Sequence, residues 1–150
     1  MAFTLTSPAF QEGQPIPRQF TCQGPDKSPV LSWSGAPPAT RFYAMVMDDP
    51  DAPRGTWTHW TWWDLPAATT SLPEGADVSK LAAIQGTTSA RSVGYHGPCP
   101  PSGRHRYVFT LHALVEPLGL KKGASVSDLQ AALKTKSVGK AQLLGTYQQT

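Results

Sequence analysis

Cysteine, charge and long apolar runs are all scarce in this chain of 150 residues. Only two cysteines occur, Cys22 and Cys99, far apart and outside any CxxC or Cys/His spacing of the structural-zinc type. No basic, apolar leader opens the chain (MAFTLT), and no stretch is long enough to cross a bilayer. The expectation is therefore a cytoplasmic protein in a reducing compartment, with both thiols free. Charged residues make up 15% of the sequence, and 13 Lys and Arg against 10 Asp and Glu leave a net charge of +3. The basic residues form no dense run interleaved with aromatics, so nucleic-acid binding is not expected. There is no HxxxH or HxH pair, and no GxSxG elbow, which removes the commonest signatures of a zinc site and of a serine hydrolase.

Proline and glycine, by contrast, are plentiful, at 15 and 13 residues. Together with five tryptophans they fit short strands joined by tight turns around a packed core. The simplest organisation is one domain over residues 1–150. Runs at 29–34 (PVLSWS), 42–48 (FYAMVMD), 58–65 (THWTWWDL) and 106–115 (RYVFTLHALV) are β-branched or aromatic and bounded by turn residues. The last alternates most clearly: Tyr107, Phe109, Leu111, Ala113 and Val115 make one apolar row, and His105 extends it by one step. Asp49 continues the Tyr43, Met45, Met47 row in the same way. By parity His59 shares a face with Thr61 and Trp63, while Trp60 and Trp62 share the other. Residues 66–101 read as loop-rich. A helix is predicted at about 125–135, with Ser125 and Asp128 as a capping-box-like start, followed by a short strand near Ala141–Tyr147. Strands dominate, with one late helix.

Ionisable residues gather at the ends of these strands, in DDPDAPRGTWTH (Asp48–His59) and GYHGPCPPSGRHRY (Gly94–Tyr107). Loops stiffened by proline at strand ends are how a rigid scaffold presents a pocket. These two stretches, with FTCQG (Phe20–Gly24), SPVLSWSGAP (Ser28–Pro37), WTHW (Trp57–Trp60) and LLGTY (Leu143–Tyr147), resemble the phosphatidylethanolamine-binding protein family, in its bacterial and archaeal Raf-kinase-inhibitor-like branch. The resemblance spans nearly the whole chain in order. It implies a mainly β fold, a Greek-key sandwich of two antiparallel sheets with one or two peripheral helices. It also implies a shallow pocket for phosphate, acetate or a phosphorylated head group, and a possible role in inhibiting a kinase or serine protease.

Carried over by motif, the ligand-binding residues are Asp49, Asp51, Pro53, His59, Gly97, His105 and Tyr107. The resemblance also implies a cis Ala52–Pro53 peptide in the DPDAP turn, and no cofactor or metal. The chain departs from the family at Pro25-Asp26-Lys27, where Asn is common, at 86–93, which lacks Asn-Asp, and at Lys136-Ser137, where Gly-His is common.

Two carboxylates look wrong for an anion site until the anion is allowed to carry protons. A carboxylate accepts from a protonated phosphate oxygen, or orients a histidine that donates to it. His59 and His105 would then supply N–H donors, Tyr107 a phenolic donor, and Gly97 a close backbone approach. The plainer reading makes Asp49 and Asp51 turn-formers. Arg106 points away from Tyr107 and should pair structurally; Trp57 and Trp63 are candidates for the pocket wall; His96 and His112 are assigned no role. Turnover is not expected, because Ser102, Tyr107 and Cys99 are weak candidates for a nucleophile. The alternatives are a small hydrolase and an interaction protein with a vestigial pocket.

Overall fold

A computed structural model describes residues 2–150. Its elements, in chain order, are β1 (Thr4–Thr6), β2 (Leu31–Ser34), β3 (Phe42–Asp49), β4 (Trp57–Pro66), β5 (Ser71–Leu72), β6 (Ile84–Gln85), β7 (His105–Leu114), α1 (Val126–Lys136) and β8 (Ser137–Tyr147), with 3-10 turns at Arg18–Phe20 and Val78–Leu81. Two antiparallel sheets form, a small one ordered β1-β2-β5 and a larger one ordered β6-β4-β3-β7-β8. The mainly β sandwich expected from the sequence is what forms.

The main core lies between the sheets. Leu5, Leu31, Trp33 and Leu72 from the small sheet meet Tyr43, Met45, Met47, Trp60, Trp62, Tyr107, Phe109 and Leu111 from the large one. The row read from alternation in β7 is thus the buried row, although it stops at Ala113: Val115 lies beyond the strand and is 41% exposed. On the other face of the large sheet, Ala44, Val46, Trp63 and Leu114 pack against Leu129 and Leu133 of α1. The helix starts where the cap predicts, with the Ser125 hydroxyl accepting from the Asp128 N–H at 3.0 Å. It runs straight into β8, which therefore begins at Ser137 rather than Ala141.

Alternation fails in β4, and the failure is informative. Tyr43 faces Leu65 and Met45 faces Trp62, so two steps along β3 match three along β4. Asp64 is held at φ +59° in this bulge. Its carboxylate accepts from the N–H groups of Leu118 at 2.7 Å and Gly119 at 3.2 Å. Alternation from Trp60 and Trp62 puts Trp63 on the helix side, where its Nε1 donates to the Leu120 carbonyl, and the bulge then returns Leu65 to the inter-sheet core. Trp63 is therefore a second-core residue and not a pocket wall.

No peptide bond among the described residues is cis, so Ala52–Pro53 is trans. The chain reverses after β3 by other means. The Asp51 N–H donates to Asp49 Oδ1 at 2.8 Å, and the Gly55 N–H donates to the Ala52 carbonyl at 3.1 Å, with Gly55 at φ +107°.

The Asp64 bulge generates a test. Asp64→Ala strips two buried amides of their acceptor and leaves a Cβ-bearing residue in left-handed backbone with no side-chain bond to hold it. Denaturant unfolding should show a loss of about 2–4 kcal/mol, with Asp64→Asn losing less. A loss below about 0.5 kcal/mol would show that this bulge does not anchor the 118–119 turn.

Candidate ligand-binding site

One end of the large sheet carries the C-terminus of β3, the start of β4 and the start of β7, as Asp49 faces Trp57 and Asp48 faces Val108. Here a cavity of about 440 Å³ opens between three loops. Asp49, Ala52, Pro53, Trp57, His59, His105 and Tyr107 supply one side of it, and Cys22, Asp26, His96, Gly97, Cys99, Pro100 and Pro101 the other. Six of the seven residues carried over by motif meet at this cavity; Asp51 does not.

His59 reaches the cavity through a second bulge. Met47 faces Trp60 but Asp48 faces Thr58, so His59 is the extra residue and parity no longer places it with Trp63. Freed from the ladder, its carbonyl accepts from the His96 N–H at 3.0 Å, and its Nδ1–H donates to the His96 carbonyl at 2.7 Å. The carbonyl fixes the tautomer: the hydrogen sits on Nδ1 and Nε2 bears a lone pair. Burial lowers the ring's pKa, with the His96 carbonyl opposing it, so His59 is held neutral. Its free nitrogen is consequently an acceptor, not the donor expected from the sequence. His96, assigned no role by sequence, proves to be the residue that sets this.

Asp49 is 3% exposed and fully committed. Its Oδ1 takes the Asp51 N–H, and its Oδ2 takes His105 Nδ1 at 2.7 Å. It is both the turn-former of the plainer reading and the residue that orients a histidine. Asp51 turns outward instead. Arg106 donates Nε to Asp51 Oδ2 at 2.9 Å and Nη2 to Oδ1 at 2.8 Å, and its backbone N–H adds a third bond at 2.9 Å. The Arg106 guanidinium holds the Asp51 carboxyl down at about 2. A two-pronged Arg–carboxylate pair of this kind fixes a loop, so Asp51 is a strut of the site and not one of its contacts.

Tyr107 is fully buried, its ring 5.3 Å from that of His59, and its hydroxyl has no hydrogen-bond partner among the described residues. Burial first, then the charge and the close approach of the Asp49 carboxylate, push its pKa up against the Cys99 backbone, so it is a protonated phenol with Asp49 near it but no hydrogen bond of ordinary geometry. Gly97 is needed for packing rather than for ligand approach. A Cβ there would collide with Asp26 Oδ1 and the Phe20 carbonyl, and its N–H is already given to Asp26 Oδ1 at 2.9 Å. Asp26, at φ +59° in the stretch that departs from the family pattern, thereby becomes a lining residue. Trp57 is 43% exposed at the rim, as its place at the start of β4 allows. No group of three or more His, Cys, Asp or Glu that could hold a metal is found among the described residues.

Both thiols are taken. Cys22 and Cys99 form a disulfide with Cα atoms 5.5 Å apart, so the expectation of free cysteines is overturned. They lie 77 positions apart in the sequence, and only the fold brings the Phe20–Asp26 turn against the 94–101 loop. The Tyr95 hydroxyl donating to the Phe20 carbonyl at 2.7 Å and the Cys22 N–H donating to the Pro98 carbonyl at 3.2 Å tie the same two segments.

The family model for phosphatidylethanolamine-binding proteins matches residues 6–148. The chain belongs to the phosphatidylethanolamine-binding protein family. A UPF0098 protein of Methanothermobacter thermautotrophicus is 42% identical over 95% of this chain and 97% of its own. A protein of Mycobacterium tuberculosis described as the putative lipoprotein LppC is 37% identical over 97% of this chain and 72% of its own. Among solved structures, the family homologue CT736 of Chlamydia trachomatis superposes with a TM-score of 0.93 at 37% identity, covering 99% of each chain. YbcL of E. coli, described as a member of the mammalian family, superposes with a TM-score of 0.93 at 31% identity over all of both chains.

The disulfide closes a long loop of the unfolded chain, so Cys22→Ser, or reduction by a dithiol, should lower stability by about 2–5 kcal/mol. Denaturant melts with and without reductant would read this directly. Identical melts would mean that the two loops are held by their hydrogen bonds alone.

Proposed function

We propose that this protein binds a small tetrahedral oxyanion, inorganic phosphate or the phosphate of a head group, at the β3–β4–β7 end of the sandwich. The observation that carries the reading is the Tyr107 hydroxyl: fully buried, protonated and without a partner at the wall of the cavity. A buried hydroxyl left unpaired costs free energy, and a ligand oxygen relieves that cost. His59 Nε2 and the ring of His105, whose Nδ1 is bound by Asp49, border the same space. An adjoining cavity shares Ala52, Pro53 and Trp57 and leaves room for an organic arm on the phosphate.

The reading of a binder rather than a hydrolase draws on the fate of the candidate nucleophiles. Cys99 is locked in the disulfide, Ser102 lies outside the cavity lining, and Tyr107 is held protonated. A regulatory role toward a kinase or serine protease, as the resemblance implies, would then rest on occupancy and not on turnover. The disulfide favours an oxidising compartment over the cytoplasmic one inferred from free thiols. Among the described residues no helix is long and apolar enough to cross a membrane.

Calorimetric titration with phosphate and with a phosphorylated head group tests the assignment. Binding should be weak, since a small hydrated anion gains few apolar contacts. Tyr107→Phe should weaken it by about tenfold, or about 1.4 kcal/mol, while the unliganded protein stays as stable or gains stability because the unpaired hydroxyl is gone. His105→Ala should weaken it as well. Affinity unchanged in both variants would remove the pocket from consideration.

A further inference from the structure

We propose that the pocket selects the singly charged, P–OH-bearing form of a phosphate group, with His59 Nε2 as the acceptor for the ligand's own hydrogen. This rests on the reading of the site as a phosphate site and specifies which protonation state it takes.

The argument is an inventory of hydrogens. Both oxygens of Asp49 are taken, one by the Asp51 N–H and one by His105. Asp26 Oδ1 holds the Gly97 N–H. The Gly97 amide, an evident donor for an anion, is spent on that bond. Asp51 and Arg106 are spent on each other, so the Arg106 guanidinium is not free to meet a second negative charge. What the protein leaves open is the Tyr107 hydroxyl as a donor, the second ring nitrogen of His105, Asp26 Oδ2, and His59 Nε2, the one imidazole nitrogen that its own partner fixes as an acceptor.

A fully deprotonated tetrahedral dianion has only acceptors. Against His59 it would set lone pair on lone pair in a buried place, with the carboxylates of Asp49 and Asp26 lining the same cavity. A monoanion keeps hydrogens on its oxygens: one P–OH donates to His59 Nε2, while an unprotonated oxygen accepts from Tyr107. The titratable groups facing His59 are Asp49 from β3, His105 and Tyr107 from β7, and Asp26 and His96 from the two loops. The His96 carbonyl keeps the Nδ1 hydrogen in place, and burial opposes a second hydrogen at Nε2. His59 thus cannot easily turn itself into a donor.

Sulfate is the discriminating probe, because it has the shape of phosphate and carries no hydrogen near neutral pH. With inorganic phosphate and sulfate titrated at constant ionic strength between pH 6 and pH 8.5, phosphate affinity should fall about tenfold per pH unit above the second pKa of phosphate, following the protonated fraction. Sulfate should bind at least about tenfold more weakly than phosphate at pH 6, a gap of about 1.4 kcal/mol. His59→Ala should weaken phosphate and narrow the gap. Sulfate binding as tightly as phosphate, or phosphate affinity flat with pH, overturns this inference and leaves the oxyanion site standing. Phosphate failing to bind at any pH overturns the site itself and the inference with it.

Discussion

Two residues of β4 set against one of β3, at His59, are the constraint on which the pocket depends. In an unbroken ladder the imidazole would lie on the helix side with Trp63. The extra residue turns it to the end of the sheet and takes its backbone carbonyl out of the strand pairing. That carbonyl and Nδ1 then bind the N–H and carbonyl of His96 reciprocally. The 94–101 loop is thereby docked onto the strand end, which brings Gly97 against Asp26 and Cys99 against Cys22. The wall opposite β3 and β7 is a consequence of this docking.

The same docking settles what the pocket offers. Each charged group that could have met a ligand is first used to build the site. Asp49 holds His105 and its own turn, Asp51 holds Arg106, and Asp26 holds the Gly97 amide. The groups left over are a phenol, an imidazole lone pair on His59, the second ring nitrogen of His105, one oxygen of Asp26, and the face of Trp57 at the rim. On the proposed reading, a site made this way would recognise an anion by the placement of hydrogens more than by opposite charge, which would account for carboxylates in its wall.

Much of this was legible in the sequence where a regular period ran unbroken. The alternation of β7 put Tyr107, Phe109 and Leu111 in the core and His105 at its edge, and the β3 row put Asp49 beside it. The helix announced itself through Ser125 and Asp128. What could not be read depends on contacts between distant segments. A bulge leaves no clear mark in THWTWWDL, so parity misplaces His59 and Leu65, on the far sides of the two extra residues. The Cys22–Cys99 bond needs the fold to bring its halves together, and the outward turn of Asp51 needs Arg106 to be seen beside it. Gly97 lines the cavity, but the visible use of its missing Cβ is to make room for Asp26 and Phe20 rather than for a ligand. Asp26 itself was visible only as a departure from the family pattern.

The most direct measurement is a crystal structure of the oxidised protein soaked in phosphate near pH 6. Tetrahedral density with one oxygen within hydrogen-bond distance of the Tyr107 hydroxyl and another within reach of His59 Nε2 is the result predicted here. A cavity holding only water at saturating phosphate, or phosphate bound outside it on Arg104 or Arg54, would contradict the account.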